Sequence, residues 1–304
     1  MRVLIIGLGS IARKHIDALK IIDKSLIIYA LRSNQNAEII NGVINVYSFD
    51  DVYKLNLDFV ILSNPTGLHF QSLNRLKELK LPLFIEKPLF DKTGKAEDLL
   101  VKNIITSNTP TYVACNLRFL DSIVKMKEII QTERINEVNV YCGSYLPDWR
   151  PSVDFKTVYS ANKDMGGGVH LDLIHELDYI YWIFGEPEQT KATFRNKSSL
   201  NITAYDYANY LWVYDAFAVN VVLNYFRKDA KRSLEVICES GTYYVDLLQN
   251  KISFNQKIFF ESSQRIADTY PKQMDFFIHQ VLQNKDNFNS IDQANKILKL
   301  CLAD

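Results

Sequence analysis

The chain has 304 residues, 47% of them hydrophobic, and its 35 lysines and arginines balance 35 acids. That length exceeds the usual size of one domain, so two domains, each burying its own core, are the default expectation. Zero net charge provides no field for nucleic acid or an anionic membrane surface, which leaves a small molecule as the expected partner.

The opening run MRVLIIGLGS holds too few apolar residues for a secretory leader or a membrane span, and a cytoplasmic location is expected. From Arg2 to about Asn116, short Val, Ile and Leu runs alternate with helical patterns. In order they are RVLIIG, Ser10 to Ile22, LIIYAL, DFVILS, Thr66 to Leu79, LFIEKP, Thr93 to Thr106 and TYVAC. Continuous apolar strands separated by helices predict a doubly wound parallel sheet covered on both faces, an α/β domain over residues 1–117.

After Arg118 the pattern changes. A helix over Leu120 to Thr132 and a strand near Val138 to Tyr145 precede a polar and aromatic loop and the run GGGVHLDLIHELDYIYW, Gly166 to Trp182. In AFAVNVVLNYF, Phe217, Val219, Val221, Leu223 and Tyr225 form one apolar face while Asn220 and Asn224 punctuate the other. That alternation predicts an antiparallel sheet with one drier side. Helices over Tyr270 to Gln283 and Ser290 to Leu302, the latter capped by Ser290, close the chain. Residues 118–304 are therefore expected to form an α+β domain with an open, mostly antiparallel sheet, its last helices free to pack back on the first domain. Cys115, Cys142, Cys238 and Cys301 lack CxxC spacing, so they read as buried reduced thiols, with no metal site or disulfide framework.

IIGLGSIARKH follows the first strand and opens the first helix, placing Gly7, Gly9 and Ala12 in the G-x-G-x-x-G/A pattern. Gly7 permits the tight turn, Gly9 admits a pyrophosphate, and Ala12 keeps helix and sheet close, while Ser10 and Ile11 begin the helix whose free N–H groups meet the phosphates. The second strand ends YALRSNQ, with no acid for a ribose 2′-hydroxyl. Arg32 and Ser33 suit a 2′-phosphate, which favours NADP over NAD; Arg32 stacked on adenine or facing solvent is the alternative.

With GLGSIARKH, SNPTGLHF, IEKPL, NLRF and GGGVHLDLIHELD in this order, the chain resembles the Gfo/Idh/MocA family over nearly its whole length. The family's G-x-G-x5-H element corresponds to Gly7, Gly9 and His15, its P-x3-H element to Pro65 and His69, and its E-K-P element to Glu86, Lys87 and Pro88. The resemblance implies a Rossmann domain, a second domain with an open sheet, and a pyridine-nucleotide enzyme acting on sugars or sugar-like alcohols. Asn64, Pro65, His69, Glu86 and Lys87 then join the cofactor set. It also implies a homodimer or homotetramer through the outer face of that sheet. Part of the family uses the nicotinamide transiently, which keeps a lyase or epimerase-like reaction open, and a non-catalytic nucleotide sensor is a third reading. The stretch DWRP before GGGV looks like a branch often associated with bacterial surface-polysaccharide sugars.

Oxidising a secondary alcohol needs a base for the hydroxyl proton and groups that hold the alcohol over the nicotinamide. Lys87 lies at the end of the LFIEKP strand, at the carboxyl edge where open α/β sheets bind ligands; a surface lysine is the plain alternative. Asp172, His175, Glu176 and Tyr179 fall on one stripe at 100° per residue, expected to face the nicotinamide, with Leu173, Leu177, Ile180 and Tyr181 pointing inward. Gly166, Gly167 and Gly168 are expected to pass close to ligand. The resemblance makes His175 the acid/base and Asp172 a substrate ligand. The family's D-x3-H is one residue shorter here, so Glu176 stands where the ungapped family histidine would fall, and His170 reads as packed. Asn116 and Arg118 of NLRF, and Trp149, Arg150, Lys156, Tyr159 and Lys163 before the glycines, are candidate substrate contacts: an aromatic face with arginine suits a sugar bearing a carboxylate, phosphate or nucleotide, and plain loop packing is the alternative.

Overall fold

The computed structural model describes residues 1–36 and 38–304. Strand β1 (Arg2–Ile6) leads into α1 (Ser10–Ile22), followed by β2 (Ile27–Leu31), β3 (Val43–Val46), the single turn α2 (Phe49–Val52), β4 (Phe59–Leu62) and α3 (His69–Leu76). Strand β5 (Leu83–Glu86), α4 (Lys95–Thr106) and β6 (Thr111–Ala114) complete the series. All six strands are parallel in the order β3-β2-β1-β4-β5-β6, the doubly wound arrangement. The central strands are buried on both faces, which explains their unbroken apolar runs. Helix α1 buries Ala12, His15, Ile16 and Leu19, which share one face at helical spacing. Strand β3 escaped the sequence analysis: VINV is only four residues long and half-exposed.

The second sheet is built from β7 (Ile135–Tyr145), preceded by α5 (Asp121–Ile129), and continues past α6 (Val169–Asp172) and α7 (His175–Phe184). Its later strands are β8 (Gln189–Arg195), β9 (Tyr207–Val213), β10 (Ala218–Asn224), β11 (Phe226–Cys238), β12 (Thr242–Asp246), β13 (Lys251–Phe254) and β14 (Lys257–Glu261). They run in the order β14-β13-β12-β11-β7-β10-β9-β8, antiparallel throughout except for the parallel pair β7 and β10. One face buries Val138, Val140, Val219, Val221, Leu223, Leu234 and Val236. Each such side chain contributes about 1.5–3 kcal/mol by leaving water. Asn224 departs from expectation: it is buried, and its amide donates to the Tyr141 hydroxyl at 2.8 Å.

The chain ends with α8 (Thr269–Phe276), a wider helical turn over residues 277–281, and α9 (Ile291–Leu302), whose Ser290 hydroxyl accepts from Gln293 N–H at 3.5 Å. Two compact units result: Met1–Cys115 with Tyr270–Leu298, and Asn116–Thr269 with Lys299–Asp304. The expected boundary after residue 117 thus moves two residues earlier, and most of the closing helical segment falls in the first unit. The reason is visible along β6, an edge strand with unpaired backbone groups. Val113 N–H donates to Asn289 O at 2.9 Å, and the side chains of Asn287 and Asn289 each donate at 2.7 Å, to the carbonyls of Thr111 and Val113. Phe277 packs edge-on against Phe59 and Phe84. All four cysteines are free and buried. Among the described residues, no helix is long and apolar enough to cross a membrane, and no cluster of His, Cys, Asp or Glu is arranged to hold a metal.

Candidate functional site

In the first unit, β1 and β4 are neighbours from which the strand order runs outward in opposite directions, and Gly7 and Asn64 stand just beyond their carboxyl ends. Gly7 has φ of +88°, and a Cβ there would come within 2.4 Å of the Asn64 backbone, so glycine is required twice over. Ser63 donates its hydroxyl to Gly7 O at 2.8 Å, closing the turn against β4. Gly9, the N-cap of α1, faces open space: nothing lies within 4 Å of where its Cβ would be. The turn is thus packed behind Gly7 and vacant before Gly9, with the first-turn N–H groups at Ser10, Ile11 and Ala12 beyond it. These residues fit a dinucleotide pyrophosphate.

The ends of β4 and β5 are tied together by histidine. The two nitrogens of buried His69 each lie 3.0 Å from a carbonyl oxygen, that of Leu89 and that of Asn64, so the ring braces the Asn64-Pro65 turn against the segment after Lys87. Burial lowers the pKa of His69, opposed by these two carbonyls. His15 Nε2 lies 2.6 Å from Glu86 Oε1, and Lys87 N–H donates to Glu86 Oε2 at 3.2 Å. Glu86 is therefore an internal tie among α1, β5 and the Lys87 main chain. Within residues 83–90, Lys87 alone is partly exposed. At the end of β2, Arg32 donates to Glu38 O at 3.1 Å and Asn45 Oδ1 at 3.4 Å, and Ser33 is exposed.

In the second unit, the helix-length run around Asp172 is not one helix. Helix α6 ends against Leu173, with φ of −101° and ψ of 27°, and α7 starts afresh at His175. The expected ligand-facing stripe is consequently corrected: Asp172, Glu176 and Tyr179 are buried within the unit. Asp172 accepts from the Tyr159 hydroxyl at 2.7 Å and the Tyr225 hydroxyl at 2.5 Å. Burial, then the Asp172 charge, raises the pKa of both phenols, so they remain donors. Glu176, completely buried, is gripped by Arg232 through Nε at 2.5 Å and Nη2 at 3.0 Å. A substrate role for it would break a buried, bidentate pair.

Two further expectations are corrected in the same way. Arg118, 1% exposed, holds Asp178 through Nε and Nη2 at 2.7 Å each, and Asn116 donates to Thr269 Oγ1 at 2.7 Å, so NLRF is an internal brace. The glycines pack against the unit's own atoms: a Cβ on Gly167 would meet Tyr159 O at 1.9 Å, and one on Gly168 the His170 ring at 2.5 Å. His170 is enclosed by Phe194 and Tyr205, and burial pushes its pKa down to about 4. Within residues 167–181 only His175 is partly exposed.

Three sequence-predicted contacts do come together. Trp149, Arg150 and Tyr159 line one small, open pocket with Leu146, Phe155, Val158 and Ser160. Lys156 and Lys163 are not among its lining residues. Trp149 stands edge-on to Tyr225 at 5.4 Å and donates its indole N–H to Ser144 Oγ at 3.0 Å. The pocket thus joins an aromatic wall, one guanidinium and, through Tyr159, the buried Asp172. Tyr225, Arg232 and Asp178 were missed as partners, although a buried phenol and buried carboxylates each demand one.

A doubly wound unit with an open glycine turn, followed by a unit built on an open and mostly antiparallel sheet, defines a two-domain dinucleotide-binding protein. The chain belongs to the Gfo/Idh/MocA family: residues 1–106 match its oxidoreductase domain, described as an NAD-binding Rossmann fold, and residues 123–244 match a GFO/IDH/MocA C-terminal domain. It is 27% identical to the myo-inositol 2-dehydrogenase of Thermotoga maritima over 61% of this chain and 55% of that one. The chain thus spans about half the length of the curated relatives it matches. An oxidoreductase structure from Thermotoga maritima superposes with a TM-score of 0.85 at 20% identity, covering 100% of this chain and 95% of that one. The UDP-N-acetylglucosamine 3-dehydrogenase of Acidithiobacillus ferrooxidans gives 0.78 at 17%, covering 100% and 96%. At these identities the structures show the shared fold.

Proposed function

We propose that this protein is an NAD(P)-dependent oxidoreductase that moves a hydride between the nicotinamide and a secondary alcohol or ketone of a sugar derivative. One observation carries the reading: in each unit, the residue assigned to the chemistry is the partly exposed member of an otherwise buried run, Lys87 in residues 83–90 and His175 in residues 167–181. Bound nicotinamide supplies the hydride acceptor or donor. In the first unit, the glycine turn with Ser10, Ile11 and Ala12 binds the pyrophosphate, Asn64, Pro65 and His69 shape its border, and Glu86 fixes the main chain at Lys87. The Lys87 ammonium holds the reacting oxygen by hydrogen bonding. In the second unit, the His175 imidazole takes the hydroxyl proton, an imidazole being suited to proton exchange near neutral pH. Asp172 acts by orienting Tyr159, which reaches the sugar.

The pocket favours an anionic sugar. Trp149 and Phe155 supply apolar faces for a ring, and Arg150 supplies a charge for a carboxylate or phosphate. Arg32 and Ser33 favour NADP over NAD. Self-association uses the outer face of the second sheet. Glu137 and Glu235 lie toward one end of β7 and β11, and Lys231 and Arg227 toward the other, so a two-fold axis near Tyr141 sets acid over base. A monomer mass by light scattering would remove this part of the reading.

The deciding experiment uses Lys87→Ala and His175→Ala with NADP(H) and NAD(H) and a panel of myo-inositol, sugar acids and UDP-sugars. Both variants should bind nucleotide as the parent does and lose at least a hundredfold in turnover. Parental turnover in Lys87→Ala would remove it from the mechanism; bound nicotinamide that cycles without net turnover would favour the lyase or epimerase-like reaction.

A further inference from the structure

The second strand lacks the acid that a dinucleotide site uses for a ribose 2′-hydroxyl, yet the fold brings one back from further along. The carboxylate of Glu38 meets Arg13, in the first turns of α1, with Nη2 to Oε2 at 2.6 Å. Arg32, immediately after β2, donates to the carbonyl of the same residue at 3.1 Å. Two guanidinium groups from separate elements therefore converge on Glu38. They do so beside the end of β2, the position from which such folds address the adenosine ribose.

We propose that Glu38 sets the cofactor choice of this protein by occupying, against Arg13, the place that the 2′-phosphate of NADP takes. The inference rests on the dinucleotide reading above. Three physical points support it. The Arg13–Glu38 pair is exposed on both sides, 48% and 71%, and pairs of that kind contribute little, so opening it is easy. A 2′-phosphate offers Arg13 and Arg32 three acceptor oxygens and more charge than one carboxylate, and guanidinium groups bind phosphate in a forked geometry. A carboxylate left in place would repel that phosphate, whereas NAD, with a neutral hydroxyl there, leaves the ion pair closed. Glu38 thus acts as an internal competitor, and the parent protein should use both cofactors with a modest preference for NADP.

The test is direct binding of NADPH and NADH, followed by nicotinamide fluorescence, to the parent chain, Glu38→Gln and Arg13→Gln. Glu38→Gln should tighten NADPH roughly fivefold and move NADH less than twofold; Arg13→Gln should weaken NADPH roughly tenfold and spare NADH. Adenosine 2′,5′-bisphosphate against 5′-AMP should repeat the pattern by calorimetry, without any nicotinamide. If Glu38→Gln instead weakens NADH and leaves NADPH unchanged, Glu38 is a ligand of the 2′-hydroxyl and the competitor role is overturned. Unchanged affinities in both variants overturn it equally while leaving the dinucleotide reading intact. A parent chain that binds neither nucleotide overturns both.

Discussion

Replacing Arg118 separates a structural brace from a substrate contact. Its guanidinium and the Asp178 carboxylate are 0% and 2% exposed and share two hydrogen bonds of 2.7 Å. Arg118→Ala takes both of these hydrogen bonds and the opposing charge from a buried carboxylate, and breaking one side of such a pair costs about 3–5 kcal/mol. With a urea dependence of about 2 kcal/mol per molar, the midpoint should fall by roughly 2 M. Intrinsic fluorescence suits the measurement, because all three tryptophans, Trp149, Trp182 and Trp212, lie in the second unit. Replacing both partners, Arg118→Met with Asp178→Leu, removes charge and desolvation together and should restore most of the loss. An unchanged midpoint in Arg118→Ala, with a raised KM for the sugar, would refute this account and return Arg118 to the ligand.

The two glycines of the nucleotide turn should separate in the same way. Gly7→Ala forces a Cβ into the Asn64 backbone and should cost fold stability along with nucleotide binding; Gly9→Ala meets no protein atom, so thermal melting should stay put while NADPH and NADH titrations weaken tenfold or more. His170 supplies a pH dependence. Its folded pKa of about 4 lies below the ordinary histidine value of 6.5, so between these values the unfolded chain holds a proton that the folded chain lacks, and stability falls as pH falls. The loss from this group between pH 7 and pH 5 is about 2 kcal/mol. Urea midpoints at the two pH values should converge in His170→Phe relative to the parent, and an undiminished difference would assign the pH dependence elsewhere.

The first sheet could be read from sequence because strands buried on both faces have to be apolar throughout, and GLGSIA names its own turn: only glycine tolerates the geometry at position 7. The candidate site was less legible, for a reason that the run Asp172 to Tyr179 makes plain. Periodicity reports that ionisable groups share a side of a helix; it does not report what waits on that side. For Asp172 it is Tyr159 and Tyr225, and for Glu176 it is Arg232, which lies 56 positions away. Glu38, 25 positions from Arg13, was hidden by the same separation. The glycines before the helix were ambiguous likewise, since a residue that must be small says only that something comes close, and here it is Tyr159 O and the His170 ring. Charge that finds a partner inside the fold is spent on holding the fold. For that reason partial exposure of His175 and Lys87, each surrounded in sequence by buried neighbours, argues for chemistry more strongly than the number of acids and histidines in the segment does.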